Sequence, residues 1–228
     1  MERRERTAAL ATAAFLALAA IYFIPGTALG KLLPAAAVKY RIIGPLAVLT
    51  LAGAALLPWQ MTLAMAFSLA GDFSGAYGSF LFQMGFFALA HVMLIIYFSC
   101  RLRQNVMTGA GPGKAWSAVA VFTAAGLAAF ALSAIIPHAP AGAIRTGCSI
   151  YTLLICSMFC LSMLTRHPAT AAGAALFLFS DTILSWNKFV SPVEYSRWMI
   201  MVPYYAGQLL IWLGAVSYEA RLRTSSKQ

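Results

Sequence analysis

Acidic side chains are scarce in this chain: six Asp and Glu stand among 228 residues, against sixteen Lys and Arg. Charged residues of both signs make up only 10%, where a soluble domain carries about 25%. A chain so poor in charge cannot clothe a globule of this size in polar groups, which excludes a water-soluble fold. Histidine is rarer still, with three residues, and the four cysteines (Cys100, Cys148, Cys156, Cys160) form no CxxC pair and no Cys/His ligand spacing. That excludes a multi-histidine or thiolate zinc centre and leaves the cysteines as small apolar packing groups. No nucleic-acid-binding motif accompanies the net charge of +10, so the basic residues read as topogenic charge flanking membrane segments.

What is present is apolar: 61% of the residues are hydrophobic and the mean hydropathy is +0.80. A membrane helix takes about 20 apolar residues, so the chain has room for about eight. The runs are continuous and lack the two-residue alternation of barrel strands. They predict a single domain over residues 1–228, an all-α bundle of eight transmembrane helices near Ala8–Ile24, Ala36–Leu57, Met61–Gly71, Gly78–Cys100, Ala115–Ile136, Ala143–Thr165, Ala169–Lys188 and Arg197–Ser217. The third is expected to run past Asp72, and its boundary with the second rests on Pro58, which either ends a helix or kinks it. Lys39, Tyr40 and Arg41 interrupt the second. The N-terminal run after Met1-Glu-Arg-Arg-Glu-Arg6 reads as the first membrane helix, being long for a signal peptide's apolar core and lacking a small-residue cleavage site. With the N-terminus in the cytoplasm, ten basic residues (Arg3, Arg4, Arg6, Arg101, Arg103, Lys114, Arg166, Arg221, Arg223, Lys227) fall inside against six (Lys31, Lys39, Arg41, Arg145, Lys188, Arg197) outside. An even number of helices then returns the C-terminus to the cytoplasm.

Two of the six carboxylates lie within the apolar runs: Asp72, in Ser68-Leu-Ala-Gly-Asp72, and Asp181, in Phe177-Leu-Phe-Ser-Asp181. The others, Glu2, Glu5, Glu194 and Glu219, fall at the termini or in a loop. An Asp at the middle of a membrane helix costs roughly 3 kcal/mol on insertion scales, so two of them mark a functional site. Other polar groups sit at helical depth with them. His91 shares a face with Phe87, and Tyr97 follows further along the same helix. Phe177, Asp181, Leu184 and Lys188 form one stripe, closed by Asn187-Lys188-Phe189. Tyr204, Tyr205 and Gln208 lie beside a kink expected at Pro203. Structural readings stand beside the functional ones: Lys188 snorkels to headgroups, Gly71 and Gly75 mark close helix packing, and His138 and His167, beside prolines, have no assigned role. Two desolvated carboxyls in one pocket divide into a general acid and a carboxylate, a pairing that serves reactions through oxocarbenium-like states.

The order and spacing of these motifs resemble the YhhN-type lysoplasmalogenase family of integral membrane vinyl ether hydrolases. The resemblance rests on Ser68-Leu-Ala-Gly-Asp72, Gly85-Phe-Phe-Ala-Leu-Ala-His91 with Ile96-Tyr-Phe98, Gly173-Ala-Ala-Leu-Phe177-Leu-Phe-Ser180-Asp181 with Asn187-Lys-Phe189, and Tyr204-Tyr-Ala-Gly-Gln208-Leu209. It implies an eight-helix hydrolase of the bacterial inner membrane that cleaves lysoplasmalogens to a fatty aldehyde and a glycerophospho-choline or -ethanolamine, without a cofactor. It also implies the roles: Asp72 or Asp181 delivers a proton and the other steadies the cation, while His91 orients water or a carboxylate. Lys31 or Lys39, with Lys188, holds the headgroup phosphate. Ser68, Ser180, Tyr97, Asn187, Tyr204, Tyr205 and Gln208 line the substrate. Departures are the early Lys-Pro, replaced by Lys31 before Pro34 or Lys39 before Pro45, and Leu94, where the family often has a tyrosine after the histidine. Intramembrane Asp and His beside a broken helix also characterise proton-coupled transporters, which remains the alternative reading.

Overall fold

Lipid offers the backbone no hydrogen-bond partner, so each crossing segment must satisfy its own amides. Accordingly, every regular element among the described residues is helical. The computed structural model describes residues 2–225; Lys227, counted above with the basic tail, lies outside the described residues. The chain forms two compact units, one ending at Ala90 and the other beginning at His91.

The first unit holds α1 (Glu2–Phe23), two short helices α2 (Gly26–Leu29) and α3 (Ala35–Lys39), α4 (Ile43–Leu56), α5 (Trp59–Tyr77) and the opening of α6 (Phe80–Met107). The helix expected over 36–57 is divided in two. Its break lies at Tyr40–Ile42, where Arg41 turns its guanidinium back onto the carbonyls of Tyr22 (3.1 Å) and Val38 (3.2 Å). These are carbonyls that the ends of α1 and α3 leave open. Pro58 ends a helix rather than kinking one: Leu57 before it is extended (φ −120°, ψ 160°), as a residue preceding proline prefers, and α5 starts at once. α5 runs through Asp72 to Tyr77 and packs closely on α6, since a Cβ at Gly71 would lie 2.8 Å from the Phe87 ring.

The second unit continues α6 and adds α7 (Lys114–Phe130), α8 (Ala143–Leu164), α9 (Pro168–Phe189) and α10 (Ser196–Ser225). A π-turn over Ala131–Ile135 and a 3₁₀ turn over Ile136–His138 extend α7 to His138, with Arg145 covering the Ala139 carbonyl at 2.8 Å. α9 and α10 are the most intimately packed pair. Gly173 and Gly207 face each other so closely that a Cβ on Gly173 would stand 2.7 Å from the Gly207 carbonyl oxygen, and one on Gly207 2.8 Å from that of Gly173. Only glycine permits that contact. Among the described residues, six helices are long and apolar enough to cross a membrane: Arg3–Phe23, Phe80–Met107, Lys114–His138, Ala143–Leu164, Pro168–Phe189 and Ser196–Arg223. α4, with 14 residues, rises about 21 Å, short of the roughly 30 Å hydrocarbon core.

Candidate active site

Helical periodicity brings three polar side chains of the second unit together. On α8, Cys148, Thr152, Ile155 and Phe159 are buried at spacings of three and four, and Tyr151 lies beside that stripe. On α9, Phe177 and Asp181 are one turn apart, and on α6 His91 is completely buried, at 0% exposure. The Tyr151 hydroxyl donates to Oδ2 of Asp181 and lies 3.0 Å from Nε2 of His91. A phenol has one proton, and here it is committed to the carboxylate, so Nε2 of His91 is the donor to the tyrosine oxygen. That fixes the imidazole tautomer: Nδ1 is left as an acceptor, and it is buried with no hydrogen-bond partner among the described residues. The rings hold this line in place. His91 meets Tyr151 edge-on at 5.2 Å and Phe177 at 5.0 Å, and Phe177 in turn packs on Tyr204 at 5.5 Å. Tyr204 and Tyr205 lie 5.4 Å apart and, with Gln208 one turn on, are buried on α10. The result is a directed chain, imidazole to phenol to carboxylate, walled by aromatic rings.

Tyr151 was not among the residues singled out from sequence, since a lone tyrosine in an apolar run looks like any interfacial aromatic. Its one available signal is position, a polar group well inside α8. Other expected site residues are engaged differently. Ser180 donates to the Ile200 carbonyl at 2.9 Å, tying α9 to α10 just before Pro203, whose missing N–H interrupts the ladder there. Asn187 accepts the Val193 N–H at 2.8 Å and closes the loop after α9. Lys188 is exposed in the last turn of α9.

Tyr97 belongs to a second cluster further along α6. Its hydroxyl lies 3.4 Å from Oε1 of Glu219, which also takes Arg101 at 2.7 Å. The Arg101 guanidinium sits over the rings of Tyr97 (5.1 Å) and Tyr218 (5.3 Å), and Tyr218 donates to Asn105 at 2.7 Å. Glu219, expected at a terminus or in a loop, is instead buried within α10. Nearby on α10, Ser217 shares a 3.1 Å hydrogen bond with His167, the residue that precedes α9. Partial burial, and secondarily the Arg221 charge, hold its imidazole below the ordinary value of 6.5.

In the first unit, Ser68 and Asp72 are buried on one face of α5 with Met61, Ala64 and Met65. Lys31 is exposed in the turn after α2. Lys39 ends α3 with its ammonium 5.2 Å from the Tyr40 ring and 6.0 Å from the Tyr77 ring.

The chain is similar to curated lysoplasmalogenases over short stretches. It is 40% identical over 73 residues to lysoplasmalogenase TMEM86B of Sus scrofa, covering 32% of this chain and 31% of that protein. It is 52% identical over 48 residues to lysoplasmalogenase TMEM86A of Bos taurus, covering 21% and 20%. The Homo sapiens TMEM86A protein is 48% identical over 48 residues, again 21% and 20%. The aligned stretches thus span about a fifth to a third of these relatives' length. No solved structure matches the chain. The YhhN family matches residues 35–215, most of the sequence, including His91, Tyr151 and Asp181. Together with its six membrane-length apolar helices, that match makes the chain an integral membrane protein of the YhhN family.

Proposed function

We propose that this protein is a membrane hydrolase that cleaves the vinyl ether bond of lysoplasmalogens, giving a fatty aldehyde and a glycerophospho-choline or -ethanolamine. The observation that carries the reading is the His91–Tyr151–Asp181 chain, a carboxyl group held by a phenol and an imidazole inside an apolar bundle. Vinyl ether hydrolysis asks for little else. A proton adds to the alkenyl carbon remote from oxygen and an oxocarbenium ion forms. Water then attacks and loses a proton, and the hemiacetal collapses to aldehyde and alcohol. A positioned carboxylic acid supplies the first step, a carboxylate steadies the cation, and no covalent nucleophile is required.

Asp181 and Asp72 are the two carboxyl groups of this reading, one delivering the proton and the other stabilising the cation. Oδ2 of Asp181 is engaged by Tyr151, so its dealings with the alkenyl ether fall to Oδ1. The buried Nδ1 acceptor of His91 suits the attacking water, whose proton it takes up. Lys39 or Lys31, with Lys188, serves the headgroup phosphate, and Ser68, Tyr204, Tyr205 and Gln208 contact the substrate. We place both termini on the cytoplasmic side of the cell membrane, from the ten-to-six bias of basic residues and an even number of crossings.

Purified protein given vinyl ether, alkyl ether and acyl lysophospholipids tests the reading. Mass spectrometry is expected to detect aldehyde from the vinyl ether lipid alone, and none at all would end the proposal. A buried imidazole–phenol–carboxyl line also conducts protons, so proton-coupled transport is the competing reading. Uptake into proteoliposomes without lipid turnover would favour it.

A further inference from the structure

α5 carries two unlike faces. One buries Met61, Ala64, Met65, Ser68 and Asp72; the other presents Ala66, Leu69, Ala70, Phe73 and Tyr77 to an open groove against Ile43 and Ala47 of α4. Phe82 and Phe86 of α6 wall the groove near the end of α5. Its volume is about 670 Å³, within the range of small-molecule sites. Three of its lining positions, Ala47, Ala66 and Ala70, carry only a methyl. Polar character is almost absent. The Ser74 hydroxyl is spent on the Ala70 carbonyl at 2.8 Å, and no charged residue lines the groove. Such a surface recognises hydrocarbon and nothing more polar.

One end differs. Tyr40 stacks on Phe73 at 5.1 Å and Phe73 on Tyr77 at 6.5 Å, and the Lys39 ammonium stands over the Tyr40 and Tyr77 rings. An apolar trough that ends in a cation on an aromatic collar matches an amphiphile with one hydrocarbon tail and an anionic head. We infer that the groove between α4 and α5 is the binding site for the tail of a single-chain phospholipid, with Lys39 taking its phosphate. The inference rests on the hydrolase reading for the kind of lipid involved, and it names the part of the chain that selects tail length. It also favours Lys39 of the two candidate lysines, since its ammonium stands 6.0 Å from the ring of Tyr77, which lines the groove.

A non-cleavable long-chain alkyl ether lysophospholipid is the probe, bound to the full-length protein in detergent and counted by native mass spectrometry. Because nothing is hydrolysed, loss of this site and loss of the vinyl ether activity are separate results. Ala70→Phe and Ala47→Phe are each expected to weaken long-chain binding at least about tenfold while a short-chain analogue binds as before. Lys39→Gln should reduce the phospholipid's affinity to that of a long-chain alcohol lacking phosphate. On the unaltered protein, a probe with a photoreactive tail should label peptides of α4 and α5, which keeps the test independent of variant folding. Undiminished long-chain binding in both alanine variants, labelling confined to other helices, or preferential retention of a two-chain phospholipid in the groove would each overturn the assignment.

Discussion

The second unit holds two tyrosine–carboxylate pairs inside its helices, and they differ in the charge of what holds the acid. At Asp181 the carboxylate's partner is the neutral phenol of Tyr151, itself held by a neutral imidazole donor. At Glu219 the partner is the Arg101 guanidinium at 2.7 Å, flanked by the rings of Tyr97 and Tyr218. A guanidinium and a carboxylate cancel each other's charge and bind α6 to α10, which is a structural use of ions. A carboxyl group held by neutral partners keeps a proton exchange available, which is the use proposed for Asp181. The contrast shows why burial of an acid is insufficient evidence of catalysis: the identity of its partner decides.

Exchanging the two acids for their amides sharpens this contrast most. Asp181→Asn is expected to lower aldehyde release by on the order of 10³-fold with little change in thermal midpoint, whereas Glu219→Gln should spare turnover per folded molecule. Equal activity losses in the two variants would erase the distinction. Arg101→Met leaves Glu219 buried without its ion partner and should cost about 3 kcal/mol of stability, read as a lower midpoint in detergent. Combining it with Glu219→Leu is expected to restore much of that loss, so a double variant no better than the single breaks the structural reading of the cluster. Tyr151→Phe removes the hydroxyl between His91 and Asp181. It should reduce kcat about 10- to 100-fold with KM nearly unchanged, measured by steady-state aldehyde release. The smallest effect concerns His167. Its folded imidazole titrates below 6.5, so the unfolded chain binds the proton more readily, and stability falls as pH drops below that value. A melt series from neutral to acidic pH should show a decline that His167→Gln reduces.

Much of this arrangement was legible in the sequence because lipid is an unforgiving solvent. Continuous apolar runs gave the long helices, and the insertion cost of a carboxylate singled out Asp72 and Asp181. What escaped reading depended on long-range partners. Tyr151 gains its meaning from His91, 60 residues earlier, and Asp181, 30 later, and tyrosine's own pattern carries no trace of either. In sequence Glu219, near a basic C-terminus, resembles part of a solvated tail; Arg101, far away in sequence, turns it inward. The division of the second expected helix followed from Arg41 bonding to carbonyls at both neighbouring helix ends, a use of arginine that its place in an apolar run concealed.

The glycine contact between α9 and α10 reaches beyond packing. Gly173 lies eight residues before Asp181 on the same helix, a rise of about 12 Å, so the crossing point acts as a fulcrum with the carboxyl group at the end of the lever. A methyl wedge at either glycine would tilt α9 and swing Asp181 out of line with Tyr151 without altering any reacting atom. The finest adjustment of this acid is thus set by two residues that have no side chains.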